Sequence, residues 1–329
     1  MQYSTFAAID IGSYDVILEI FEISKKQGIR SVDKICHRME LGKDTYTLGK
    51  IRPEMEEELC RVLADFVRIM EGYRVDDYRA TASSAISEAS NSLYVLGKIH
   101  QLTGLSVTVL SNSEQRFLSY KALAAMEDNF NKIIEKGTAI LDLDGGSFQI
   151  SLFDKDALVT TQNIRMGSLR IRERLVGIQS ETEHYEEMVE ELIWNEVSSF
   201  KKMYLKDRKI ENIMLIGDVF TDSVYQNIEE KTTKIISREN FNNWYEKIIR
   251  QSPMELAVKL GIPLENASLM YPSAVIYKCL IDMMGAEHIW IPGVHMTRGI
   301  AYEYAEQMKL LKGGHNFEND ILMAAKNIG

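Results

Sequence analysis

Residues 6–15 read "FAAIDIGSYD" and residues 139–150 read "AILDLDGGSFQI". In each, a short apolar run ends on an aspartate, Asp10 or Asp142, and enters a glycine turn. Such a turn exposes backbone N–H groups beside a carboxylate, which is how a chain holds phosphate, with Mg²⁺ between the two. One copy is weak evidence, because strand–Asp–Gly turns are common. Two copies opening two halves of a 329-residue chain imply a duplicated fold around a phosphate cleft.

The sequence around each turn supports duplication. After "GSYD" comes a second strand, "VILEIFEI", then a hairpin connection at "KKQGIR" and a third strand, "SVDKICHRMEL". Pro53 opens a helix with Met55, Leu59, Val62, Leu63, Phe66, Ile69 and Met70 at helical spacing, and Gly72 as its expected stop. A strand over 78–85 runs into a short helix, 92–103 and 113–129 are helical, and "LSVTVL" between them reads as a buried strand. The second half repeats the order with "GTAILDLDGG", "SFQISLFD" and "LVTTQNIRMG". A long helix is expected over 182–205, with Met188, Leu192, Ile193, Val197, Phe200 and Met203 on one face. "ENIMLIGD" is a strand entering a third turn at 217–222, "HIWIPG" is a late strand, and helices follow at 298–312 and 318–327.

Composition narrows the class. Hydrophobic residues at 45% and charged residues at 26% describe a globular chain with material for two cores. A net charge of −10 argues against nucleic-acid and membrane-surface partners, and any polyanionic ligand needs a local pocket of basic or N–H groups. Cys36, Cys60 and Cys279 read as ordinary reduced cysteines. The N-terminus lacks a signal-peptide pattern and no stretch suits a bilayer span, so the expected location is cytoplasmic.

At these turns the chain resembles the exopolyphosphatase and guanosine pentaphosphate phosphohydrolase (Ppx/GppA) family, in its short two-domain form. "AAIDIGSYDVILEIFEI" resembles the opening Asp-x-Gly-Ser strand pair, and "MELGKDTYTLGKIRPE" the Arg-Leu-Gly…Gly-x-Leu segment. "ASSAISEASN" resembles Ala-Thr-Ser-x-Leu-Arg-x-Ala-x-Asn, and "VLSNSEQRFLSY" resembles Ser-Gly-x-Glu-Glu-Ala-Arg-Leu. "LDLDGGSFQISLF" resembles Asp-Ile-Gly-Gly-Gly-Ser-Thr-Glu-Leu, and "RMGSLRIRERL" resembles Leu-Gly-x-x-Arg-Leu. The resemblance implies two actin-like α/β domains of the ribonuclease H-like, sugar-kinase and Hsp70 ATPase superfamily, with an interdomain cleft. It implies domain I over 1–126, domain II over 127–299, and a C-terminal helical segment, 300–329, packing toward domain I. Actin-like domains often pair, so analogy implies a homodimer.

For function, the resemblance implies release of the terminal phosphate of polyphosphate or guanosine pentaphosphate, using carboxylate-activated water and Mg²⁺. Asp10, Gly12, Ser13, Gly145, Gly146 and Ser147 match the phosphate turns, Arg170 becomes a phosphate contact, and Asp10, Asp142 and Asp144 are the expected metal ligands. Asp142, Glu114, Gln115 and Gln149 fall on catalytic positions. Departures from the pattern cluster there: the family's glutamates fall on Gln115 and Gln149, its arginine on Ser87, and "GDVFTD" replaces a Gly-Gly-Thr-like loop.

An amide cannot take a proton from water, and losing a general base costs ~10²–10⁴-fold in rate. Losing Arg removes a bidentate phosphate clamp. Asp144 and Asp218 add negative charge where a polyanion enters, and Phe148 and Phe220 are expected to crowd their turns. Glu114 or Asp144 would have to replace the base. Two function classes therefore follow: a weak Ppx/GppA-type phosphohydrolase, or a non-catalytic phosphate- or nucleotide-binding sensor or partner protein.

Overall fold

The computed structural model describes residues 3–126, 130–175, 185–206, 208–227 and 235–310. Contacts divide these into two compact units, 3–125 with 295–310, and the described part of 126–294. The expected helix at 318–327 lies outside the described residues.

The first unit opens with β1 (Ser4–Ile11), β2 (Asp15–Ser24) and β3 (Gly28–Arg38). These form an antiparallel meander in which Asp10 faces Ile17, and Ile17 faces Cys36. Phe6–Ile9 are buried on both faces of β1, as expected for a central strand covered on both sides. Helix α1 (Leu41–Leu48), which sequence periodicity does not reveal, precedes α2 (Pro53–Tyr73). Pro53 occupies the first turn of α2, where its missing N–H costs nothing, and Leu59, Val62, Leu63, Phe66 and Met70 are buried. The helix runs past Gly72 and stops at Arg74, whose φ of 54° lets its N–H reach the carbonyls of Glu71 and Met70.

Next come β4 (Asp77–Ala82), α3 (Ser84–Ser87), α4 (Ser92–Thr103), β5 (Val107–Val109) and α5 (Asn112–Met126). The sheet order is β3-β2-β1-β4-β5, with β4 and β5 parallel to β1. The segment "LSVTVL" is therefore an edge strand, with Thr108 exposed rather than buried.

The second unit starts with α6 (Phe130–Ile134), β6 (Thr138–Leu143), β7 (Phe148–Asp154), β8 (Ala157–Ile164) and α7 (Ser168–Leu175). Helix α8 (Tyr185–Phe200) buries Val189, Ile193, Val197 and Phe200. Its last turn, Lys201–Leu205, is a π-helix, and the wider i→i+5 spacing brings Leu205 rather than Met203 onto the buried stripe. Met203 is 61% exposed.

The chain continues through β9 (Asn212–Ile216), α9 (Val219–Asn227), β10 (Ile235–Ser237), α10 (Arg238–Ile249), α11 (Pro253–Leu260), α12 (Leu264–Met284) and β11 (His288–Trp290). Sheet order is β10-β11-β9-β6-β7-β8. Without the short antiparallel β10, this is the order of the first sheet, with the same antiparallel and parallel pairings. The α/β fold class and its duplication are those expected from the two turns.

Finally α13 (Met296–Gln307) joins the first unit. Ile300, Ala301, Tyr304 and Ala305 pack on Phe6, Ala8, Phe21 and Ile23, and Tyr304 stacks on Phe6 with centroids 4.0 Å apart. Arg79–Glu303 and Lys121–Glu306 ion pairs and a Thr297–Glu19 hydrogen bond at 2.5 Å hold the helix in place. Gly299 lies so close to the Leu118 carbonyl that no Cβ would fit. None of Cys36, Cys60 and Cys279 is in a disulfide. Among the described residues no helix is long and apolar enough to cross a membrane.

Candidate functional site

In the second unit, β6 carries Asp142 to the last residue pair but one before the turn, directly opposite Gln149 on β7. Gln149 in turn faces Asn163 on β8. Residues paired across a sheet project from the same face, so Asp142, Gln149 and Asn163 form one polar row. Gln149 is 5% exposed, and its Oε1, like Asn163 Oδ1, is buried without a hydrogen-bond partner. Buried polar atoms are normally satisfied, so this row offers unused hydrogen-bonding capacity beside a carboxylate.

The turn itself is tightly constrained. Asp144 N–H donates to the Ser147 carbonyl at 2.9 Å. The Asp144 carbonyl accepts from Ser168 N–H at 3.2 Å, and the Gly145 carbonyl accepts from Arg170 N–H at 2.9 Å. Arg170 Nε also donates to the Gly146 carbonyl at 2.9 Å. Two glycines permit this closeness. A Cβ on Gly167 would strike the Asp144 and Gly145 backbone. One on Gly217, at φ 100°, would lie 2.5 Å from Asp142 Oδ1 and 2.6 Å from the Leu143 carbonyl oxygen.

The first unit repeats the geometry. Gly12 N–H donates to the Asp15 carbonyl at 2.9 Å, the same i→i+3 bond that Asp144 makes. Asp10 accepts a long hydrogen bond from Thr81 at 3.4 Å. Ser13 is fully buried, with its hydroxyl 2.7 Å from Tyr46 OH on α1, which in turn is 2.8 Å from Ser84 Oγ. Asp15 is held by Arg38 at 2.8 Å, and the nearby Cys36 thiol is pushed up to about 12 by burial and by the Asp15 charge.

The candidate bases at α5 are otherwise occupied. Glu114 forms a capping box with Ser111: its carboxylate accepts Ser111 N–H at 2.7 Å while its own N–H donates to Ser111 Oγ at 3.3 Å. These bonds hold its carboxyl below the usual range, making it a weaker base. Gln115 Nε2 donates to the Leu110 carbonyl at 3.2 Å, a bond that an ionised glutamate cannot make.

The aromatic side chains expected to crowd their turns are buried. Phe148 is 1% exposed on β7, and the Phe220 ring on α9 packs against Phe241 and Tyr277 in the core. Asp218 is the N-cap of α9, accepting Thr221 N–H at 3.0 Å and Tyr277 OH at 3.2 Å. Full burial pushes its carboxyl up to about 7, and those hydrogen bonds limit the rise.

Asp142, Asp144, Gly145, Gly146, Ser147, Gln149 and Arg170 are thus gathered in one unit, and Asp10, Gly12 and Ser13 in the other. Glu114 and Gln115 lie at the start of α5. Among the described residues no group of three or more His, Cys, Asp or Glu side chains is placed to hold a metal ion. Asn163, Gly167, Gly217 and Tyr46 were not anticipated. Asn163 follows from strand alternation once the register is known, whereas the other three depend on contacts distant in sequence.

Comparison with known proteins agrees with this geometry. The model of the Ppx/GppA phosphatase family matches residues 19–308. The chain belongs to the Ppx/GppA phosphatase family. A bifunctional 3-dehydroquinate synthase/phosphatase of Fusobacterium nucleatum is 21% identical over 304 residues, covering 86% of this chain and 44% of that protein. Exopolyphosphatase 1 of Mycobacterium leprae is 25% identical over 144 residues, 44% of this chain and 41% of that protein. The alignments thus span less than half the length of either relative.

Among solved structures, an exopolyphosphatase from Cytophaga hutchinsonii aligns over 95% of this chain and 100% of its own, with a TM-score of 0.79 and 17% identity. The Aquifex aeolicus Ppx/GppA family member aligns over 93% and 99%, with a TM-score of 0.74 and 17% identity. At such identities these structures establish the Ppx/GppA fold alone.

Proposed function

We propose that this Ppx/GppA member binds a phosphoanhydride, polyphosphate or a guanosine polyphosphate, at the Asp142–Ser147 turn and hydrolyses it slowly. The observation that carries this reading is the Asp142–Gln149 pair. The turn backbone is closed, but the residue facing the aspartate is an amide where the family pattern has a glutamate. Gln149 can orient water or a phosphoryl oxygen by hydrogen bonding but cannot accept the proton. Asp142, facing Gln149, is then the carboxylate that takes the proton, with Asp144 hydrogen-bonded to the Gly145 N–H, and Arg170, held by Gly146, supplies a guanidinium at the turn.

Oxygen donors suit a hard cation such as Mg²⁺, and the donor set here, the Asp142 carboxylate with the unpartnered Gln149 Oε1, fits one. When bound, such an ion would neutralise phosphoryl charge. The test is phosphate release from long-chain polyphosphate and guanosine pentaphosphate, with Mg²⁺ or Mn²⁺, against Asp142→Ala.

A second reading, a non-catalytic phosphate or nucleotide sensor, is favoured by the commitment of Glu114 to its capping box. It is distinguished by ligand-induced thermal stabilisation with no phosphate release. Dimerisation and a cytoplasmic location remain part of the proposal by analogy.

A further inference from the structure

The two turns differ at one equivalent position. Where the first unit has Gly12, the second has Asp144, and each donates the same i→i+3 backbone bond. The Asp144 side chain folds back over its own turn, and its Oδ1 accepts the N–H of Gly145 at 2.6 Å. That N–H is one of the donors a phosphate would use in a cradle of this kind. The three turn carbonyls are engaged by the N–H groups of Ser168 and Arg170 and by the Arg170 guanidinium, which holds the turn backbone in place around the Gly145 N–H. Ser168, whose N–H donates to the Asp144 carbonyl, is 1% exposed, and its hydroxyl is buried with no hydrogen-bond partner.

We propose that the Asp144 carboxylate is a built-in competitor for phosphate, occupying the Gly145 N–H until an anionic ligand displaces it, and so determines which ligands the turn accepts. The inference rests on the phosphoanhydride reading above and deepens it. A free phosphate group must break a charge-assisted hydrogen bond and approach a like charge. A ligand carrying its own cation would suffer less, because the cation's charge would offset that of the carboxylate. The site therefore selects metal-complexed phosphoanhydrides over free anions.

Pyrophosphate affinity, measured calorimetrically in EDTA on the full chain, tests this with Asp144→Gly and Asp144→Asn. Asp144→Gly should bind at least about tenfold tighter than wild type, equivalent to ~1.4 kcal/mol. Asp144→Asn, which keeps an oxygen for the Gly145 N–H but loses the charge, should fall between them and also serves as the variant whose turn stays closed. Equal or weaker binding by both variants, with wild-type binding measurable, overturns the competitor role and leaves the phosphoanhydride reading standing. No binding by wild type or either variant, in EDTA and with Mg²⁺ alike, with the Gly145 amide resonance unmoved by pyrophosphate in both, overturns both.

Discussion

Asp142 and Gln149 face each other across β6 and β7, one pair in from the turn, and the carboxyl oxygen of one lies against Gly217 while the amide oxygen of the other lies buried with no partner. A reacting water could be oriented here, but only one of the two side chains can take its proton. Restoring a second carboxylate should therefore raise the rate. Gln149→Glu is expected to increase phosphate release from polyphosphate by at least ~10-fold, within the ~10²–10⁴ a general base supplies. Adding Gln115→Glu should contribute little, because it sacrifices the hydrogen bond to Leu110. Initial-rate assays on the single and double variants decide the order.

Gly217→Ala should damage the site and the fold together. Its φ of 100° disfavours any L side chain, and the new Cβ would meet Asp142 Oδ1 and the Leu143 carbonyl oxygen. A loss on the order of 2 kcal/mol is expected in urea unfolding, with pyrophosphate binding weakened as Asp142 is displaced. A fully stable variant with unchanged binding would contradict the packing described.

Gly299→Ala in α13 discriminates between local and tertiary control. Helix propensity alone would make alanine more stable by ~1 kcal/mol. The contact with the Leu118 carbonyl predicts the opposite sign, a loss of at least ~2 kcal/mol, read by urea unfolding.

Asp218 gives a pH dependence with a definite sign. Its carboxyl is raised in the folded state to about 7 by burial, so the folded chain holds a proton that the unfolded chain releases above the ordinary aspartate range. The stabilisation is complete below the unfolded value of 3.8 and is lost as pH rises through about 7. Between pH 5.5 and 8.5 wild type should lose on the order of 2 kcal/mol from this group, and Asp218→Asn should flatten that part of the profile. Parallel profiles would remove Asp218 as the cause.

Much of this was legible in the sequence because the signals are local. Strand alternation, Pro53 and the Asp–Gly turns each act over a few residues, and they located the elements that carry Asp10 and Asp142. Gly72 misled because the helix found its αL residue in Arg74 instead. Met203 misled because a π turn shifts the phase by one residue, which α-periodicity cannot foresee. The "LSVTVL" strand has buried-strand composition, yet its place at the sheet edge is a property of topology. At the site, the substitutions Gln115 and Gln149 were visible, but not that Glu114 is spent on a cap, that Phe148 and Phe220 turn into the core, or that Gly167 and Gly217 press against the turn. The glycine contacts and the Phe220 packing are pairings between residues far apart in the chain, whereas the Ser111–Glu114 capping box is local and its Ser-x-x-Glu pattern was there to be read.

The central claim is that the cradle is retained while its proton acceptor is weakened. The most direct measurement is the wild-type rate of phosphate release from long-chain polyphosphate with Mg²⁺, beside Asp142→Ala. The account predicts turnover well below the roughly 1–10³ s⁻¹ usual for enzymes, and its complete loss in Asp142→Ala. Wild-type turnover within that usual range and abolished by the same substitution would show a fully working base at the turn and contradict it.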